Sequence, residues 1–451
     1  MTHIDTSHAG PTHAGPTHPG APIGMTDRAD APGPLMRRGP RPLLLHLTLA
    51  MLRSSVSGAT SPRWKADWPN SSVAAVLRSI QSTARDGNPE GAFPIEAIAE
   101  TLRRDAALIG GIAAYRRHGW RRTLPDPPVL WSEGGTRLLD YGHDAAGLPV
   151  LFVPSLVNRA YLLDLAEGRS MLRWLAQQGV RPFLLDWGWP GETERRFNLT
   201  DYVAGRMERS MTAAARIAGQ PVALAGYCMG GTLAVAAAQR RPDLIRGLAL
   251  LATPWDFHAA NRDQAMRAVH VLPLLEPALA FSRTLPVDLL QSLFALLDPW
   301  GVADKYRGFA SMPQDTERAR LFVALEDWLN DGVPLAAEVA RACLLEWYGE
   351  NAPARGEWRI AGAPVDPTTI ALPAFVAVPG RDRLVPPASA RPLARLIPGA
   401  VLHQPAAGHV GMAAGARAEA SLWRPLLGWL QGLHQPAGKR RPTPPPQPAP
   451  S

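Results

Sequence analysis

The chain has 451 residues, 46% of them hydrophobic, and a formal charge of +8. That length holds one large α/β domain with extensions, or two domains, and the apolar content excludes a chain disordered throughout. The basic residues are nearly all arginine, with lysine only at Lys65, Lys305 and Lys439, and no run interleaves basic with aromatic side chains, so nucleic-acid binding is not expected, whereas a phosphate-bearing substrate suits the sign.

In chain order, residues 1–42 read as a solvated low-complexity arm. The run HAGPT occurs at 8–12 and again at 13–17, and four of the twelve histidines lie here. Arg37-Arg38 followed by the apolar run 43–52 has the outline of a short signal sequence. His46 and Thr48 interrupt that run, so it reads instead as a short amphipathic helix lying on the domain, and the arm with this helix is bounded at residue 54. Residues 55–125, with Trp64, Trp68 and a helical pattern over 94–118, form an N-terminal segment packed on the main domain. No apolar run approaches the roughly 20 residues needed to cross a bilayer, so no transmembrane segment is expected. Two cysteines, Cys228 and Cys343, make no disulfide framework and suit a reducing cytoplasm.

The main domain is expected over 126–434. Residues 129–131 and 137–141 read as a hairpin across Glu133-Gly134-Gly135. Further buried strands are predicted at 150–153, 182–185, 222–225, 248–251 and 375–378, with helical patterns between them, for example 161–178 and 201–218. Alternation of this length implies a mostly parallel sheet covered on both faces, with chemistry at the carboxyl ends of its strands. From 256 to 370 the alternation breaks into a largely helical span, and a cap over the strand ends is expected at about 256–345. Residues 435–451 are a Pro-rich tail, extended in solution.

The chemistry concentrates in the strand 222–225, which runs into Gly226-Tyr227-Cys228-Met229-Gly230-Gly231 and then a helix. This is the spacing of a nucleophile elbow, with sulfur where hydrolases carry a serine hydroxyl. Glycines two before and two after the nucleophile let the strand-to-helix bend close without a Cβ in the way. The bend would expose the sulfur at a helix N-terminus, where the dipole favours thiolate, and aim the Met229 N–H at a developing oxyanion. An elbow needs an acid and then a histidine, each after a later strand. The run PGRD at 379–382 places Asp382 in such a loop, and GHVG at 408–411 places His409 in another. His118, His143, His258, His270, His403 and His434 lack a comparable setting and read as structural or solvated. Cys343, in a helical stretch, reads as packing. There is no Walker loop, dinucleotide fingerprint or zinc-type ligand spacing, so no metal or cofactor is expected.

Several stretches together resemble the polyhydroxyalkanoate synthases, acyltransferases of the α/β-hydrolase fold. They are GYCMGGT at 226–232, VPSLVNRAYLLDL at 153–165, LDWGWP at 185–190, TPWDF at 253–257, DRLVP at 382–386 and GHVG at 408–411, spread over about 129–430. The resemblance implies an α/β-hydrolase fold with a mostly parallel sheet, a helical cap insertion and an N-terminal helical segment. It implies polymerisation of (R)-3-hydroxyacyl-CoA to polyester with release of CoA, the CoA thioester being substrate rather than cofactor. Cys228 would carry the acyl group and His409 act as its base. Asp382 would orient His409 or help activate the incoming hydroxyl. Met229, with Val157 or Asn158, would form the oxyanion site. The family also implies a homodimer or a second synthase subunit, granule-associated proteins as partners, and a place at the polyester granule surface in the cytoplasm. A thioesterase or esterase of the same fold, or an inactive granule-associated paralogue, are the competing readings. Monomer length is left open, because the N-terminal segment is intermediate between those of the short two-subunit and long single-subunit synthases.

Overall fold

The computed structural model describes residues 37–59, 95–142, 147–295 and 299–434. The histidine repeat, Trp64, Trp68, His143 and the Pro-rich tail lie outside them. We number the eight strands of the large sheet β1 (Val129–Glu133), β2 (Thr136–Asp140), β3 (Pro149–Val153), β4 (Arg181–Asp186), β5 (Val222–Tyr227), β6 (Ile245–Leu251), β7 (Ala374–Ala377) and β8 (Val401–His403). Their order is β1-β2-β4-β3-β5-β6-β7-β8. The β1–β2 hairpin and the β2–β4 pair are antiparallel, and every other pairing is parallel.

Period-two alternation divides the core. Leu151, Val153, Leu224, Leu248, Leu250 and Val376 face one way, toward the helices Glu208–Ala218, Met229–Arg240 and Pro387–Leu396. Val150, Phe152, Ala223, Ala225, Ala249 and Phe375 face the other way, toward the helices Met171–Gln177 and Arg424–His434. Both faces are covered, so β3 and β5 are buried at every position, which is why they read as unbroken apolar runs. The chain passes from β3 to β4 on one side and then crosses to β5 on the other. The carboxyl ends of β3 and β5 therefore flank a crevice at the point where strand order reverses, the usual ligand position in such sheets.

Two expectations are corrected. The pattern 161–178 is not one helix: a 3-10 turn (Ala160–Leu163) leads into a small hairpin (Asp164–Ala166 with Arg169–Ser170), and only Met171–Gln177 is α-helical. Asp164, fully buried, is paired with Arg122 and Arg173 at 2.7 Å each, while left-handed Gly168 (φ +67) turns the chain and the Ser170 hydroxyl caps the helix, accepting from Arg173 N. The second correction concerns the division at residue 54, which falls inside a helix, Leu43–Ala59. That helix packs with Ile95–Arg117 and the cap helix Gly301–Ala310 around Ala50, Leu108, Ile112, Tyr306 and Phe309. Residues 37–54 are thus part of the folded molecule.

The cap comprises the helices Arg262–His270, Leu272–Ser282, Val287–Ala295, Gly301–Ala310, Glu317–Asn330 and Ala337–Ala342 and the π-helical turn Cys343–Gly349. A two-residue strand pair, Thr284–Leu285 with Leu335–Ala336, ties its two halves together. Among the described residues no helix is long and apolar enough to cross a membrane.

Candidate active site

β5 ends in the elbow. Cys228 has φ 55 and ψ −129, a conformation that L-residues rarely hold unless their surroundings impose it. The imposing contacts are local: Cys228 N donates to Leu251 O at 2.8 Å, and Gly231 N donates to Cys228 O at 2.9 Å. A Cβ at Gly226 would meet Gly230 O at 2.7 Å, and one at Gly230 would meet Pro154 O at 2.5 Å. Both glycines are therefore required by space, as the motif implied. The helix Met229–Arg240 starts immediately after the sulfur, which thus sits in the positive field of a helix N-terminus.

Asp382 and His409 come from the loops after β7 and β8. Those loops are laced together, with Gly380 N donating to Pro405 O and Arg381 N to Ala407 O, both at 2.9 Å. The lacing brings Asp382 Oδ2 to 2.7 Å from His409 Nδ1. The other carboxylate oxygen, Oδ1, accepts from Leu384 N and Val385 N, both at 2.9 Å. His409 is 93% buried, lines the same cavity as Cys228, and lies with its ring 5.1 Å from that of Tyr227. Burial by itself would lower the proton affinity of this imidazole. The negative charge of the Cys228 sulfur, the hydrogen bonds to Asp382 and Cys228 and the charge of Asp382 reverse that, and His409 is pushed up to about 10. Of the three residues expected to act together, Asp382 and His409 are in hydrogen-bond contact, and His409 shares its cavity with Cys228.

Under the cap lies a cavity of about 280 Å³, mostly apolar, into which Cys228, Met229 and His409 project from the sheet side. Met229 is the first residue of its helix, so its N–H has no intrahelical acceptor. Val157 and Asn158, at the end of β3, line the same cavity. The Val157 N–H is already directed at Ser155 Oγ (3.4 Å), whereas Asn158 Nδ2 is buried with no partner among the described residues.

Sequence reasoning missed two residues, Tyr348 and Asn351. Cys343 packs against the core, as expected, and also lines the cavity, with its thiol pushed up by burial and then by the charge of Glu346. Tyr348 lines it too, one turn further along the π-helical segment. Asn351 holds a left-handed conformation (φ 56), its Oδ1 accepting from Phe257 N at 2.8 Å and its Nδ2 donating to Asp256 Oδ1 at 2.9 Å. The only signal in sequence was the aromatic cluster Trp347-Tyr348, which alone does not separate a cavity wall from a core. Of the other histidines, His118, His258 and His403 are engaged with the backbone carbonyls of Gln314, Tyr348 and Ser421, and are structural.

Comparison with known proteins follows the same lines. A family model described as the alpha/beta hydrolase fold matches residues 149–415, more than half of the chain. The poly(3-hydroxyalkanoate) polymerase subunit PhaC of Haloferax mediterranei is 29% identical over 309 residues, covering 67% of this chain and 63% of its own length. The PhaC subunits of Allochromatium vinosum (28% over 291 residues, 64% of this chain and 81% of that one) and Synechocystis (29% over 295 residues, 63% and 77%) are similar. The chain thus spans less than two thirds of the Haloferax relative and more of the other two. Among solved structures, a thioesterase domain from the curacin biosynthetic pathway overlaps at TM-score 0.40 and 17% identity over 67% of this chain and 97% of that one, too loosely to bear on function. The matched span starts at the first residue of β3 and takes in the elbow, the aspartate loop and the histidine loop: this chain belongs to the α/β-hydrolase fold family and is similar in sequence to poly(3-hydroxyalkanoate) polymerases.

Proposed function

We propose that this chain is a polyhydroxyalkanoate synthase, polymerising (R)-3-hydroxyacyl-CoA through a covalent acyl-Cys228 intermediate. One observation carries the reading: the elbow presents sulfur, not oxygen, to a mostly apolar capped cavity that it shares with the buried, Asp382-bonded His409. The Cys228 thiolate attacks the thioester carbonyl, and the oxyanion that forms is met by the Met229 N–H. The intermediate collapses, and the CoA sulfur departs with the proton held on His409. His409, now neutral, takes the proton of a hydroxyl, whose oxygen attacks acyl-Cys228. An ester bond forms and the Cys228 sulfur is released. Exchange between two thioesters is nearly isoenergetic, so the enzyme-bound acyl group stays activated for attack by an alcohol. A serine ester would lie lower and resist that transfer. The cap walls suit a reaction in which water must not compete.

The geometry favours one of the two roles open to Asp382. Both its oxygens are occupied, by His409 and by two backbone N–H groups, and its side chain is fully buried. On this reading it is a positioning residue that holds His409, since its carboxylate makes three hydrogen bonds and Asp382 is not among the residues lining the cavity that an incoming hydroxyl would enter.

The test compares purified wild type and Cys228→Ser on (R)-3-hydroxybutyryl-CoA, scoring CoA and insoluble polyester separately. Wild type should yield both, and Cys228→Ser should yield no polyester. CoA with only free hydroxy acid from wild type would make the protein a thioesterase. Alkylation of Cys228 without turnover of any acyl-CoA would make it an inactive paralogue. Equal polyester from both proteins would overturn the mechanism. The same reading carries a second copy or a second synthase subunit as partner, and a place at the granule surface, which co-sedimentation with nascent polyester tests.

A further inference from the structure

Tyr348 is fixed from several sides. Its ring meets Phe257 edge-on at 5.1 Å, and its carbonyl accepts from His258 Nε2 at 2.8 Å. The loop carrying Phe257 and His258 is itself held, by Asn351 and by a hydrogen bond from His258 N to Asp256 Oδ1 at 3.0 Å. What remains free is the hydroxyl, which has no hydrogen-bond partner among the described residues although Tyr348 lines the cavity that holds Cys228 and His409. Burial, then the charges of the Cys228 and Cys343 sulfurs, raise its proton affinity, so it stays a neutral O–H.

An acyl group seated on Cys228 in this mostly apolar cavity, on the synthase reading, carries one polar group that needs a partner there: the hydroxyl on its third carbon. That hydroxyl needs an acceptor for its own proton as well as a donor. Other polar side chains line the cavity, among them Asn158, Gln264 and Ser389, and the unpartnered nitrogens Asn158 Nδ2 and Trp347 Nε1 only donate. The Tyr348 phenol both donates and accepts, and it lies close enough to Cys228 for the charge of that sulfur to act on it. We infer that Tyr348 receives the 3-hydroxyl of the bound acyl group and so selects 3-hydroxyacyl over unsubstituted acyl thioesters. This deepens the synthase reading and rests on it.

The experiment is single-turnover acylation of Cys228 by 3-hydroxybutyryl-CoA and by butyryl-CoA, followed by CoA release and by the mass of the Cys228 peptide, in wild type and Tyr348→Phe. A site built to bond a hydroxyl discriminates against the analogue lacking it. The preference of wild type for the hydroxylated substrate should fall about tenfold in Tyr348→Phe, the worth of one buried hydrogen bond. A merely structural role would slow both substrates together and leave the ratio unchanged, which overturns the inference. If wild type is acylated by neither substrate, the synthase reading falls and takes this one with it. If wild type is acylated and the ratio survives the substitution, only the role of Tyr348 falls.

Discussion

His409 gives the site its pH dependence. The folded protein holds the His409 proton more tightly than an unfolded chain does, 6.5 being the ordinary value and about 10 the folded one. Below about 6.5 both states are protonated and the stabilisation is complete. Between the two values the folded state binds the extra proton, so stability falls as pH rises, and above about 10 the contribution is gone. The Tm advantage of wild type over His409→Gln should therefore shrink from about pH 6 to about pH 10.5, and an advantage that grows with pH would contradict the ion pair. Cys343 makes the complementary case. It shares the cavity with Cys228, but burial and the neighbouring Glu346 keep its thiol neutral. Iodoacetamide at neutral pH should modify Cys228 alone in the folded protein, and Cys228→Ser should take up none, as peptide mapping would show. Stoichiometric label on Cys343 would mean that its thiol ionises.

At the level of elements, the elbow is held by backbone against backbone. A methyl group at Gly230 would press on Pro154 O at 2.5 Å and Pro154 C at 2.7 Å, and neither can swing aside. Gly230→Ala should cost about 3 kcal/mol or more in urea unfolding and abolish alkylation of Cys228. Gly308, in the cap helix Gly301–Ala310, has open space where a Cβ would go, so Gly308→Ala should add about 0.5–1 kcal/mol by helix propensity. The contrast shows why some elements were legible in sequence. β3 and β5 announce themselves because burial on both faces forces continuous apolar runs, and the elbow because its glycines have no substitute. Asp382 and His409 follow from chain order once the elbow is recognised. The hairpin at Asp164–Ser170 was hidden, because apolar periodicity does not register that Asp164 is buried against two arginines contributed from separate stretches. Tyr348 and Asn351 were hidden because their roles arise only when the cap folds back over the strand ends.

At the scale of the whole molecule, the N-terminal residues are fastened to the cap through one buried charge. The Arg37 side chain, fully buried, makes two bonds to Asp327 at 2.6 and 2.7 Å and donates to the carbonyl of Trp120 at 2.6 Å, while Tyr115 donates to the same carboxylate at 2.8 Å. Asp327 lies on the helix Glu317–Asn330. That helix also carries Trp328, which donates to Arg159 O at 2.8 Å and forms part of the cavity wall. A buried ion pair is a poor source of net stability, but removing one partner strands the other. Arg37→Met should therefore cost about 3–5 kcal/mol in urea unfolding, with Arg37→Met/Asp327→Leu recovering much of the loss. Because the same helix walls the cavity, the single variant should also release CoA more slowly from 3-hydroxybutyryl-CoA, and the double variant should regain rate along with stability. Loss of stability with an unchanged rate in the single variant would mean that the N-terminal residues fasten the cap without shaping the cavity.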